Sequence, residues 1–274
     1  MIAAARTSPQ AYQPQAYSRD YLLSSGGYEV YLSSGGAELI PRHRAMLALA
    51  RLQPGEHVLD MSCGRGELTY QCALVGCHVT AADFSPDAIA LTRETVERLP
   101  ADVRARVSIV RQEASTVALV GPYDVVLLAD VVEHLTAEQL AQFFRRLREH
   151  LGSGARVVIH TDNGFYHHLL FPMSRTLSLP FTVARHLLRL AWGHREPSWA
   201  AWRRKAFTVL PPSDAEELHV TVFTPTRLRR FLRQWLPGAE VSTRVEGRGQ
   251  NLLSLLMNRW WGGDLYAVAR IHGA

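Results

Sequence analysis

The stretch that decides the fold is Val58-Leu-Asp-Met-Ser-Cys-Gly-Arg-Gly-Glu67. Val58, Leu59 and Met61 around a single acid read as a short buried strand, and Gly64 and Gly66 then open a turn into a helix that runs to about Val75. Glycines at such a turn let the backbone approach a ligand closely, where a Cβ would stand in the way. In open α/β sheets ligands bind beyond the carboxyl ends of the strands, and this turn lies there.

Working outward, the pattern alternates. His78–Asp83 predicts a second strand; Ser85 caps a helix with Pro86 at its first position. Val107–Arg111 and Asp124–Leu128 read as further strands. Thr136-Ala-Glu-Gln139 is a capping box before a helix with Leu140, Phe143, Phe144 and Leu147 on one face, and Ala155–His160 reads as the fifth strand. Thr224-Pro225 starts another helix, and Ala239–Val245 and Leu265–Ile271 read as two closing strands. Alternation of this kind implies a mostly parallel sheet covered on both faces, and the ending implies an antiparallel edge hairpin. Upstream, Ala37–Leu52 has helical spacing. Leu-Ser-Ser-Gly-Gly occurs at Leu23–Gly27 and again at Leu32–Gly36, as corners or as lid hinges. Residues 1 to about 20, rich in Pro, Gln, Ser and Tyr, are expected to be mobile. The domain reading is therefore a helical cap or lid over 1–52, then one domain over 53–274 that includes a helical insertion, a substrate cap, at 164–218.

Composition narrows the class. The 274 residues carry +5 net charge, but Lys205 is the only lysine, so the basic balance reads as arginine bias and no nucleic-acid partner is assigned. Three cysteines without a CxxC pair do not make a disulfide framework; reduced thiols and a cytoplasmic setting fit them. No apolar run approaches the ~20 residues of a membrane span.

Three further acids follow strands in order. Asp83 closes the second strand and could accept both hydroxyls of a ribose; Glu113 follows the third, and Asp130 the fourth. A nucleoside cofactor at the switch point of the sheet would meet them in that sequence. A nicotinamide-binding turn wants G-x-G-x-x-G, and Gly64-Arg-Gly66-Glu-Leu-Thr69 lacks its third glycine. A nicotinamide oxidoreductase, an aminopropyltransferase-like relative and a non-catalytic cofactor-binding protein are the alternatives.

Val58–Glu67, Val79–Pro86 and Tyr123–Leu135 together resemble the class I S-adenosylmethionine-dependent methyltransferases, of a small-molecule or glycan-pathway type. The likeness covers about Gly55–Thr161 and resumes at His219–Trp235. It implies a Rossmann-like seven-stranded sheet of order 3-2-1-4-5-7-6 and S-adenosyl-L-methionine as cofactor. Its contacts would fall on Asp60, Ser62, Cys63, Gly64 and Gly66 around the turn and on Asp83 and Phe84 at the ribose. Glu113 and Ala114 would lie near the adenine, and Asp130 would close the set. The family usually has Gly where Ser62 stands, which reduces backbone freedom there.

Methyl transfer is an in-line displacement, so alignment supplies most of the catalysis, and a hydroxyl acceptor also needs a proton acceptor. His134, with Glu133 to orient it, is the expected catalytic pair; His160 and His219 read as structural. Asp130-x-x-Glu133-His134 also resembles the triple with which ubiquinone-pathway O-methyltransferases hold a divalent cation, but Glu-His occurs there without metal, and no metal is assigned. The acceptor is expected to be a small molecule, glycan or lipid-linked compound, methylated on a hydroxyl oxygen; a natural-product or lipid tailoring N- or O-methyltransferase is the alternative. The arginines and aromatics of 164–218 would suit an anionic or lipid-linked acceptor or peripheral contact with an acidic membrane, and Asn251–Trp261 would suit packing on the sheet or a homodimer seam.

Overall fold

The computed structural model describes residues 14–166, 220–247 and 262–272, with four isolated positions between the first two stretches. Its centre is a seven-stranded sheet of order β3-β2-β1-β4-β5-β7-β6. The strands are β1 His57–Met61, β2 His78–Asp83, β3 Val107–Arg111, β4 Tyr123–Ala129, β5 Leu151–Asp162, β6 Glu240–Glu246 and β7 Asp264–Arg270. The first five are parallel, and β7 runs antiparallel between β5 and β6. This is the expected topology, with β5 longer than its sequence pattern at both ends.

Period-two alternation divides the core. Leu59 and Met61 of β1, with Val126 and Leu128 of β4, face one layer, where they meet Phe143, Phe144, Leu228 and Leu232. Val58, Val125 and Leu127 face the other and meet Met46, Ala50 and Cys72. The first layer holds α7 (Ala137–Leu147) and α8 (Pro225–Trp235); the second holds α3 (Pro41–Ala50) and α4 (Glu67–Val75). Because both faces are covered, the central strands are apolar almost throughout, and their polar residues collect at the ends.

The local signals act as expected. Ser85 accepts a hydrogen bond from the Ala88 N–H at the start of α5 (Pro86–Val96). Thr136 and Gln139 form the capping box of α7, and Thr224 caps α8. Short α6 (Ala101–Arg104) leads into β3.

One expectation needs correction. Residues 14–20 are not a loose tail: Pro14–Tyr17 is a 3-10 turn leading into α1 (Arg19–Ser24). Arg19 is tied to α5 by its backbone N–H to Asp87 and by its guanidinium to Glu94. The Gly26-Gly27 corner joins α1 to α2 (Tyr28–Ser34), and α2 ends at Gly35. Most of 164–218, His219 and the 248–261 part of the final connection lie outside the described residues.

Candidate active site

At the carboxyl rim of the sheet lies a cavity of about 350 Å³, within the range of pockets that enclose small ligands. Its first half is built by the β1 turn and the end of β2. Asp60 is buried and accepts a 2.6 Å hydrogen bond from Thr69 of α4, which buttresses the turn. Burial, moderated by that bond, raises its pKa to about 6. Ser62 adopts a left-handed φ of 61°, so this serine holds the conformation that glycine would take freely.

The two glycines of the turn do different work. A Cβ on Gly64 would meet nothing closer than 4.0 Å, so this residue leaves room for a ligand, and it lines the cavity. A Cβ on Gly66 would lie 3.0 Å from the Thr92 Cα. Gly66 therefore lets α4 pack on α5, and it does not line the cavity.

Asp83 is buried at the end of β2, where its carboxylate accepts the N–H groups of Gly64 (3.1 Å) and Ser85 (2.9 Å). Burial raises its pKa despite these bonds. Asp83, Phe84 and Ala114 line the cavity beside Asp60, Ser62 and Cys63; Glu113 does not, and its carboxylate accepts the Ser115 hydroxyl.

The second half is built by β4, β5 and the helices above them. Asp130, at the end of β4 with φ 54°, lines the cavity. One of its oxygens takes a short hydrogen bond from His160 Nδ1; the other accepts Arg42 Nε at 3.0 Å. Burial opposes its charge, but the His160 and Arg42 cations hold its pKa well below the carboxylate range.

Glu133 is 3% exposed and lines the cavity, with Thr161 Oγ1 donating to it at 2.9 Å. Burial, reinforced by the charge of Asp130, raises its pKa to about 8. Its backbone carbonyl accepts the N–H groups of Val220 and Thr221. Its carboxyl thus pairs with Thr161 and does not orient His134. The His134 ring lines the cavity and meets Tyr17 edge-on, with centroids 5.7 Å apart. Among the described residues no three His, Cys, Asp or Glu side chains converge as a metal site.

The N-terminal segment supplies the roof. Tyr17 meets Phe84 edge-on at 5.1 Å and so links the two halves through its contact with His134. Tyr17 and Tyr21 line the cavity; Tyr28 does not. Buried Arg65, on the β1 turn, pairs with Glu67 at 2.8 Å and donates to Leu22 O, Ser25 Oγ and Gly26 O. It pins the α1–α2 corner to the turn.

Arg65, Arg42 and His43 are the residues that motif reading did not assign to the site. His43 is buried with Nδ1 unpaired, lines the cavity, and is held neutral by burial, which lowers its pKa to about 4. The signal for α3 was the helical spacing over Ala37–Leu52, but nothing in that spacing reveals that the helix delivers Arg42 and His43 to this rim.

The strand order and the acid-lined rim define a Rossmann-like methyltransferase fold. Residues 59–157, about a third of the chain, match the family described as "Methyltransferase domain". The chain is 32% identical over 139 residues to a mitochondrial ubiquinone biosynthesis O-methyltransferase of Schizosaccharomyces pombe, across 50% of this chain and 46% of that protein. It is 31% identical over 140 residues to an uncharacterised Mycobacterium tuberculosis protein, across 48% and 47%. The match thus spans just under half of these relatives. Among solved structures, the N-methyltransferase NodS of Bradyrhizobium japonicum WM9 with S-adenosyl-L-homocysteine has a TM-score of 0.56 at 16% identity, covering 94% of this chain and 97% of that one. The glycopeptide N-methyltransferase MtfA with sinefungin has a TM-score of 0.55 at 18% identity, covering 91% and 98%. These two share the fold.

Proposed function

We propose that this protein transfers a methyl group from S-adenosyl-L-methionine to a hydroxyl oxygen of a small-molecule or glycan acceptor. The observation that carries the reading is a single cavity joining a glycine turn and a strand-end carboxylate to a buried carboxyl poised near neutral pH. The S-adenosyl-L-homocysteine solved with NodS and the chemistry named for the S. pombe relative support it.

The residues fit this cofactor. Gly64 leaves a cradle that a side chain would fill, and Asp83 presents a fixed carboxylate for ribose hydroxyls. Arg42 uses only its Nε on Asp130, so its terminal nitrogens suit the carboxylate of the methionine part. When bound, the cofactor supplies a methyl group on a positively charged sulfur.

Glu133 is the proton acceptor in this reading. An acceptor hydroxyl directed at it would lose its proton to the carboxylate, while the bound cofactor would supply the methyl group and keep the electron pair of the broken carbon–sulfur bond as a neutral thioether. A pKa near the working pH is what such a group needs. His134 and Tyr17 shape the acceptor side, and the roof excludes water. Three free, buried cysteines support work in the reducing cytoplasm. A labelled-methyl assay over sugars, phenols, lipid-linked alcohols and amines tests the proposal: transfer to a hydroxyl compound is expected. Transfer confined to amines would overturn the oxygen assignment, and no transfer to any acceptor would overturn the activity.

A further inference from the structure

His160 lies fully buried in β5, and both of its ring nitrogens meet carboxylates. Nδ1 donates to Asp130, at the end of β4; Nε2 donates to Asp264 Oδ1 at 3.2 Å, at the start of β7. A neutral imidazole has one N–H and cannot donate at both ends, so this geometry calls for the imidazolium. Burial disfavours that charge, but the two carboxylates outweigh it and raise its pKa to about 10. His160 is thus a fixed cation and unsuited to act as a base.

The chain of charges continues to the cavity. Asp130 is held in a left-handed conformation that non-glycine residues adopt at a cost, and its second oxygen grips Arg42 Nε at 3.0 Å. A Cβ built on Gly26 would lie 3.5 Å from one terminal nitrogen of Arg42 and 3.6 Å from the other, so the corner of the roof leaves space beside the guanidinium. Those two nitrogens have no hydrogen-bond partner among the described residues, although Arg42 lines the cavity. Alternating charges run Arg42, Asp130, His160, Asp264. Without the central cation, Asp130 would lose the hydrogen bond that orients its first oxygen, and the grip of its second oxygen on Arg42 would slacken.

We propose that His160 and Asp264 are positioning residues: together they fix Asp130 so that Arg42 stands at the cavity wall with its terminal nitrogens open to the ligand's carboxylate. The closing hairpin thereby reaches the cofactor through four side chains, though none of its described residues lines the cavity. The inference rests on the cavity being the cofactor site.

Two probes separate this role from simple damage. S-adenosylhomocysteine carries the amino-acid carboxylate; 5′-methylthioadenosine has the same nucleoside without it. Calorimetry on the full chain should show that His160→Gln, Asp264→Asn and Arg42→Leu each weaken S-adenosylhomocysteine roughly tenfold or more, the scale of losing a charged hydrogen bond. Binding of 5′-methylthioadenosine should change less than about twofold. The double variant Arg42→Leu/His160→Gln should lose no more than Arg42→Leu alone, since both act through one contact. Equal losses for both ligands, additive losses, or unchanged affinity would overturn the inference. If His160→Gln fails to fold, Asp264→Asn carries the test. A wild-type protein that binds neither ligand would instead refute the cofactor reading itself.

Discussion

The two halves of the cavity are built in different ways. On the β1–β2 side, backbone does the work: Ser62 and Gly64 turn left-handed, Gly66 lets two helices close up, and Asp83 is held by two peptide N–H groups. On the β4–β5–β7 side, side chains do it: Glu133 is tuned by burial and by Asp130, and Asp130 is fixed by ions from α3 and β5. Backbone geometry is written in a few adjacent residues. Charge balance is assembled from elements far apart in the chain. The first half therefore suits a constant nucleoside; in the second, Glu133 and His134 can be retuned for a particular acceptor while the Asp130 network stays as it is.

The largest expected effect lies in the side-chain half. Glu133→Gln keeps the acceptor atom for Thr161 but cannot take a proton, so turnover should fall about 10²–10⁴-fold while cofactor affinity barely changes. The wild-type rate should climb with pH through about 8 as Glu133 ionises, and that limb should vanish in the variant. His134→Ala should lose less than Glu133→Gln; steady-state kinetics showing the reverse would transfer the proton-accepting role to His134.

The same substitution has an intermediate effect of opposite sign on stability. Because the pKa of Glu133 is raised by folding, the folded chain keeps a proton that the unfolded chain releases above about 4.3. Stability therefore falls as pH rises from there towards 8. Glutamine removes that loss, so Glu133→Gln should melt higher than the wild type at pH 8, by roughly 2–4 °C for each kcal/mol recovered. At pH 4, where both states hold the proton, the two should converge. Thermal melts at the two pH values decide it.

The smallest effect belongs to the backbone half. Among the described residues Ser62 makes no side-chain hydrogen bond, and it sits at φ 61°, so Ser62→Gly should raise stability by about 0.5–1 kcal/mol, the left-handed penalty less the entropy cost of glycine. Denaturant titration showing a loss would mean that the hydroxyl serves the fold in some other way.

This division also explains what the sequence made legible. The strand order followed from alternation and caps, and the rim acids Asp60, Asp83 and Asp130 could be placed because each ends or follows a strand. Gly66, expected at the cofactor, packs on Thr92 and does not line the cavity; spacing cannot tell a glycine that makes room for a ligand from one that makes room for a helix. Glu113 follows its strand but turns to Ser115, a choice of side-chain partner that no periodicity reports. Arg42, His43 and Arg65 escaped because their meaning depends on where α1 and α3 dock. His160 reads as structural from its place at the end of a strand, yet its partner Asp264, 104 residues away, carries no local mark at all.

The central claim is that the rim between β1 and β2 holds the nucleoside of S-adenosylmethionine through Asp83. Calorimetric titration of S-adenosylhomocysteine into the wild type and a folded Asp83→Ala variant tests it most directly. One saturable site in the wild type, weakened about tenfold or more by the loss of a charged hydrogen-bonding group, is the expected result. Equal affinity in the two proteins would contradict the account.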